Sequence, residues 1–92
     1  SIADRFINDR EKITPAAELV RYHLYIHWCA KEALYKICDK RNINFKKNLT
    51  ISPFNPEEEG IITGTVDNIY GVDVYELYYR RMEDYILVWT CK

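Results

Sequence analysis

Two histidines, three cysteines and a knot of tyrosines and arginines are the residues of this 92-residue chain whose types and spacing can do chemistry. His23 and His27 stand four apart, which on a helix places both imidazoles on one face, at the spacing that lets two of them share a metal. The residue after His23 is Leu24 and not Glu, so the zinc-protease pattern fails. A third ligand would have to come from elsewhere, with Cys38 or a strand residue as candidates. The plainer expectation is two partly buried imidazoles, each hydrogen-bonded to backbone or to a Tyr hydroxyl. A third arrangement has both histidines lining a small-molecule- or metal-binding cradle between a helix and a sheet. No cofactor, resident metal or catalytic residue is expected.

Cys29, Cys38 and Cys91 are an odd number at wide spacing, which is not a disulfide framework. On one helix Cys29 and Cys38 are separated by roughly 13 Å of rise, beyond the ~7 Å between Cα atoms that a disulfide spans. A bridge from Cys91 to either stays open, and reduced thiols in a cytoplasmic protein are the simpler expectation. A cysteine nucleophile needs a base at its side. Cys29 is two residues from His27, about 160° away around a helix, where the two side chains cannot meet.

The densest aromatic and basic cluster is Tyr75, Tyr78, Tyr79, Arg80 and Arg81, with Trp89 on the next strand. Tyr, Trp and Arg are the side chains most often found as anchors of protein interfaces. Tyr75, Tyr78, Tyr79, Arg80 and Trp89 are therefore the expected contacts for a protein partner. With Lys46 and Lys47 nearby, the same surface could stack bases and bind phosphates, a single-stranded nucleic-acid reading that Glu76, Glu83 and Asp84 dilute. The net charge of −1 also lacks the overall basicity that gathers nucleic acid. The expected function is a non-enzymatic protein-binding module of adaptor, accessory or inhibitor type, working as a homodimer. With three Gly in the chain, a phosphate-cradling loop is hard to build.

The elements that must position these groups can be read from the period of the apolar residues. A short N-terminal helix leads into Asp9-Arg10-Glu11-Lys12, which reads as a charged, solvated connection. Thr14-Pro15 is a helix start, with a capping hydroxyl and a Pro whose missing N–H costs nothing in the first turn. A helical pattern without Gly or Pro follows from Pro15 to about Asp39. Its apolar sector, including Leu19, Leu24, Ile26, Ala30, Leu34 and Ile37, covers more than half the circumference, with His23 and His27 near its middle. Lys31 lies close enough to the edge of that sector to snorkel. A helix on a single sheet needs a narrower stripe, so the excess predicts a further contact: the N-terminal segment, a second copy or a partner.

Past Arg41-Asn42 the helical period ends. Asn44–Ser52, Ile61–Val66, Val72–Arg81 and Tyr85–Cys91 are the expected strands, with turns at Pro53-Phe54-Asn55-Pro56, Asp67–Gly71 and Met82-Glu83-Asp84. The last strand is apolar on both faces, which predicts a central or covered position. The expected fold is a single α+β domain over residues 1–92: one long helix across a curved antiparallel meander of three or four strands. Cystatin- and NTF2-type domains have this general form, an analogy of shape that carries no function. Asn48-Leu49-Thr50 matches a glycosylation sequon. No apolar run approaches the ~20 residues that span a bilayer, so no membrane partner is expected.

Overall fold

A computed structural model of the chain describes residues 2–38 and 43–90. A 3-10 turn, Ile2–Arg5, precedes helix α1, Val20–Ile37. Strands β1, Leu49–Ile51, β2, Glu59–Asn68, β3, Gly71–Arg81, and β4, Ile86–Thr90, follow. The strands form one antiparallel sheet in the order β1-β2-β3-β4, and α1 lies on one of its faces. The chain is thus the α+β arrangement of helix on four-stranded meander that its periodicity predicts. The expected helix end near Asp39, the bridge from Cys91 and the Arg41-Asn42 connection fall outside the described residues.

Helix α1 begins five residues later than Thr14-Pro15 predicts. Thr14 makes the expected bond, its Oγ1 accepting from the Ala16 amide at 3.2 Å. The amides of Leu19 and Val20 then both donate to the Ala16 carbonyl, at 2.9 and 3.1 Å, closing a tight turn before the regular helix. The Thr14 amide donates to His23 Nδ1 at 3.0 Å, which ties the lead-in across the helix's own first turn.

Strand β1 is also shorter than its alternation suggests, because Asn44 wins residues 45–47 for a turn. Its Oδ1 accepts from the amides of Lys46 and Lys47, at 3.1 and 2.9 Å, the local side-chain competition that makes Asn a turn former. At the β2–β3 hairpin, Asn68 Oδ1 accepts from the Tyr70 amide at 2.8 Å. Gly71 follows with φ of 139°, a conformation that side chains with a Cβ rarely adopt.

The core lies between α1 and the inner sheet face. Ile26, Ala30 and Leu34 of α1 meet Leu49 and Ile51 of β1, Ile62 and Val66 of β2, Leu77 and Tyr79 of β3, and Ile86 of β4. Gly64 lets the helix approach β2 closely: a Cβ there would sit 2.7 Å from Leu34 Cδ1 and 3.0 Å from Leu77 Cδ1. Both leucines are fully buried, so neither can swing aside freely. Gly64→Val should therefore destabilise the fold by about 1–3 kcal/mol through overpacking. Urea denaturation measures this directly, and an unchanged midpoint would show that the contact is looser than drawn.

Candidate functional site

Two places concentrate unusual chemistry: a buried polar cluster beside α1, and the outer face of the sheet. The cluster is centred on Glu11, buried against expectation. Glu11 Oε1 accepts from the Asn8 amide at 2.9 Å and from Lys31 Nζ at 2.6 Å. Its Oε2 accepts from the Ile51 amide at 2.8 Å and faces His27 Nδ1 at 3.4 Å. Lys31 also donates to the Phe6 carbonyl. Its side chain is fully buried, so Lys31 does not snorkel to solvent: a carboxylate and a carbonyl inside the fold replace the water. Asn8 adds Nδ2 bonds to the Lys46 and Leu49 carbonyls and to Thr50 Oγ1. Residues 6–11 thus form a strap that binds the flank of α1 to β1, where the sequence reads as a solvated connection.

Burial alone would raise the Glu11 carboxyl. The His27 and Lys31 side chains and the amides of Asn8 and Ile51 outweigh that, leaving its pKa below the ordinary value. Lys31 is pushed below its ordinary value by burial, with Glu11 opposing. Two backbone amides and Lys31 on the carboxylate, and the Phe6 carbonyl on the ammonium, replace water that burial removes from the pair.

The histidines are buried as expected, but no Tyr hydroxyl holds them. His23, 2% exposed, accepts from backbone at Nδ1, and His27 faces a carboxylate. Phe54 covers both rings, edge-on to His23 at 4.6 Å and stacked on His27 at 5.4 Å between centroids. His23 Nε2 and both ring nitrogens of His27 are buried without a hydrogen-bond partner, so the approach of His27 Nδ1 to Glu11 is a contact and not a hydrogen bond. Among the described residues no group of three His, Cys, Asp or Glu side chains is placed to hold a metal. His23 lines an open cleft of about 450 Å³ between Lys12–Pro15 and Pro53–Asn55; His27 does not. Cys29 is a free thiol, and burial raises its pKa, which disfavours the nucleophilic thiolate; the buried Cys38 Sγ donates to the Tyr35 carbonyl at 3.6 Å.

The five expected contact residues divide between the two sheet faces. Tyr75 and Tyr79 point toward α1. Tyr79 is 2% exposed, and its hydroxyl accepts from the Glu57 amide at 3.0 Å, so it is a core residue and not a surface anchor. Strand alternation itself separates them from Tyr78 and Arg80. Tyr78, Arg80 and Trp89 share the outer face. Tyr78 pairs across the strands with Trp89 and with Ile61, and the Tyr78 and Trp89 rings stack at 5.8 Å. Leu87 stands opposite Arg80, which reaches Glu59 at 3.4 Å. Trp89 is 42%, Leu87 47% and Ile61 58% exposed.

β4 is an edge strand and not a central one; α1 covers its inner face at Ile86 and Val88, and the outer face stays open. Lys46 and Lys47 precede β1 at the opposite edge, and Arg80 and Arg81 face Glu59 and Glu58. The basic groups therefore form no common track of the kind that follows a nucleic-acid backbone.

No helix among the described residues is long and apolar enough to cross a membrane. Comparison with protein-family models, curated proteins and solved structures found no match to this chain.

The buried pair makes a definite energetic prediction. Lys31→Met and Glu11→Gln should each destabilise by about 3–5 kcal/mol, because each strands its partner. The double variant should lose less than the sum, and a strictly additive double-mutant cycle would contradict the coupling.

Acid sensitivity follows from His23, whose pKa burial and then the neighbouring His27 lower from 6.5 to about 4. The unfolded chain takes up this proton from the ordinary value downward, whereas the folded chain resists until about 4. Stability should fall with pH across that window, and Glu11 adds a further loss as pH drops through its lowered pKa. His23→Asn keeps an acceptor for the Thr14 amide and should flatten the first part of the decline. Urea midpoints measured across the acid range test this, and an unaltered slope in the variant would remove His23 as the cause.

Proposed function

We propose that this protein is a non-enzymatic protein-binding module, of adaptor, accessory or inhibitor type, that engages its partner with the outer face of the sheet. The carrying observation is the exposed patch of Trp89, Leu87 and Ile61 about the half-buried Tyr78, rimmed by the Arg80–Glu59 pair. A stacked Tyr–Trp pair beside an Arg presents large, rigid contact area at low entropic cost, the composition of interface hot spots.

The same strand supports the homodimer. The β4 segment, Ile86-Leu87-Val88-Trp89-Thr90, carries no charge or Pro that would block pairing at its free edge. A second copy added antiparallel through β4 makes one continuous sheet and enlarges the open face. The free thiol of Cys29 suits a reducing, cytoplasmic setting.

A second reading has one observation in its favour. The unpartnered Nε2 of buried His23, beside the cleft that Lys12 and Asn55 also line, suits a small ligand with an acceptor group. A rise in melting temperature with one metabolite, lost in Lys12→Ala, would support this cradle.

Trp89→Ala with Leu87→Lys tests the leading reading, since truncating a hot-spot Trp costs about 2 kcal/mol or more. The variant should weaken self-association at least about tenfold by sedimentation equilibrium, with an unchanged circular dichroism spectrum. A photo-crosslinker at position 78 should capture partner protein, whereas one at the exposed Asp9 should not. A wild-type chain that stays monomeric at every concentration refutes the dimer. Equal capture from positions 78 and 9 refutes the face.

A further inference from the structure

A second surface lies away from the sheet, along the outer side of α1. Arg21, Leu24, Tyr25 and Trp28 follow one another at helical spacing, and the N-terminal turn brings Arg5 and Phe6 beside them. Together they line a groove of about 470 Å³. Phe6 is buried and meets Trp28 edge-to-face at 5.4 Å, and Trp28 in turn meets Phe45 at 5.3 Å. The strap described above holds Phe6 in place, through the Lys31 bond to its carbonyl. The groove is therefore built on fixed elements and needs no loop to close.

Its charge is one-sided. Both ionic residues in the lining are arginines, and no carboxylate joins them. Neither Arg5 nor Arg21 has an ion-pair partner among the described residues, although Arg10, Lys31, Arg80 and Arg81 all do. Arg21 and Tyr25 also line a neighbouring depression that carries Glu83 and Asp84 beside Arg81, so carboxylates of a bound chain are better met on the Arg5 side. Apolar and aromatic walls between two uncommitted guanidiniums fit apolar side chains flanked by carboxylates.

We infer that this groove docks an acidic amphipathic segment of a partner protein, with apolar side chains against Leu24, Tyr25 and Trp28 and carboxylates on Arg5 and Arg21. The site is separate from the sheet face, so the molecule carries two recognition surfaces.

The two tryptophans make the test decisive, because Trp28 lies in the groove and Trp89 on the sheet. The probe is a short synthetic peptide with Leu and Phe at helical spacing and Glu elsewhere, compared with the same peptide carrying Lys for Glu. The full chain is labelled with nitrogen-15, and Trp89→Phe assigns the two indole resonances. The acidic peptide should bind, move the Trp28 indole signal and leave that of Trp89 in place. Added salt should weaken it. Arg21→Glu and Arg5→Glu, both at exposed positions, should each weaken it at least about tenfold. Equal binding of the Lys peptide, movement of the Trp89 signal alone, or no binding of the acidic peptide overturns the inference. None of these results bears on self-association through β4.

Discussion

The Glu11 carboxylate inside the fold is the constraint on which the rest of the structure depends. One oxygen is held by Lys31 of α1 and the Asn8 amide, the other by the Ile51 amide of β1. A single side chain therefore joins the N-terminal segment, the helix and the first strand. An apolar contact of the same size would contribute as much stability, since removing an ion pair from water costs several kcal/mol per charge. What the carboxylate adds is position. Only one placement of the strap satisfies both oxygens, Lys31 and the Ile51 amide together, so the helix is fixed in rotation and in height over the sheet.

That fixation decides which surfaces remain for function. The wide apolar sector of α1 calls for a further contact, from the N-terminal segment, a second copy or a partner. The N-terminal segment supplies it: the strap takes up one flank through Phe6, Asn8 and Glu11, and Phe45 and Phe54 cover other parts. The helix alone therefore no longer compels association. The demand moves to the sheet, which has a helix on one face and an open second face bearing Trp89, Leu87 and Ile61. Exposed apolar area of that kind, on a strand with a free edge, marks an interaction surface or an aggregation hazard. The two proposed surfaces lie on opposite layers of the same rigid body, which suits a molecule that brings partners together.

The fold was largely legible: α1 follows from a spacing of 3.6, and the meander from β-branched and aromatic runs bounded by turn residues, although β3 and β4 show no clean alternation. The ends were less so. Local hydrogen bonds by Thr14 and Asn44 overrode the longer pattern, and those depend on backbone geometry that spacing does not encode. The strap was illegible for a different reason. Glu11 sits among Asp9, Arg10 and Lys12, all exposed, and nothing in that run marks one of the four charges as buried. The one available clue was Lys31, a charge on the margin of an apolar helix face that needs either water or a carboxylate. Composition groups Tyr75 and Tyr79 with Tyr78 and Arg80, although alternation along a strand sends them to the opposite face. β4 read as central because both its faces are apolar. It is an edge, and that mismatch is itself the strongest pointer to a binding surface.

The amide of Ile51 reports on this account most directly, because its hydrogen-bond acceptor is Glu11 and not a neighbouring strand. If the strap is integral to the fold, native-state hydrogen exchange at Ile51 proceeds only through global unfolding, at the same free energy as the amides of Leu77 and Tyr79 in the sheet. Exchange at Ile51 as fast as that of the loop residue Asn55 would show that the strap opens by itself, and that the carboxylate does not hold the layers together.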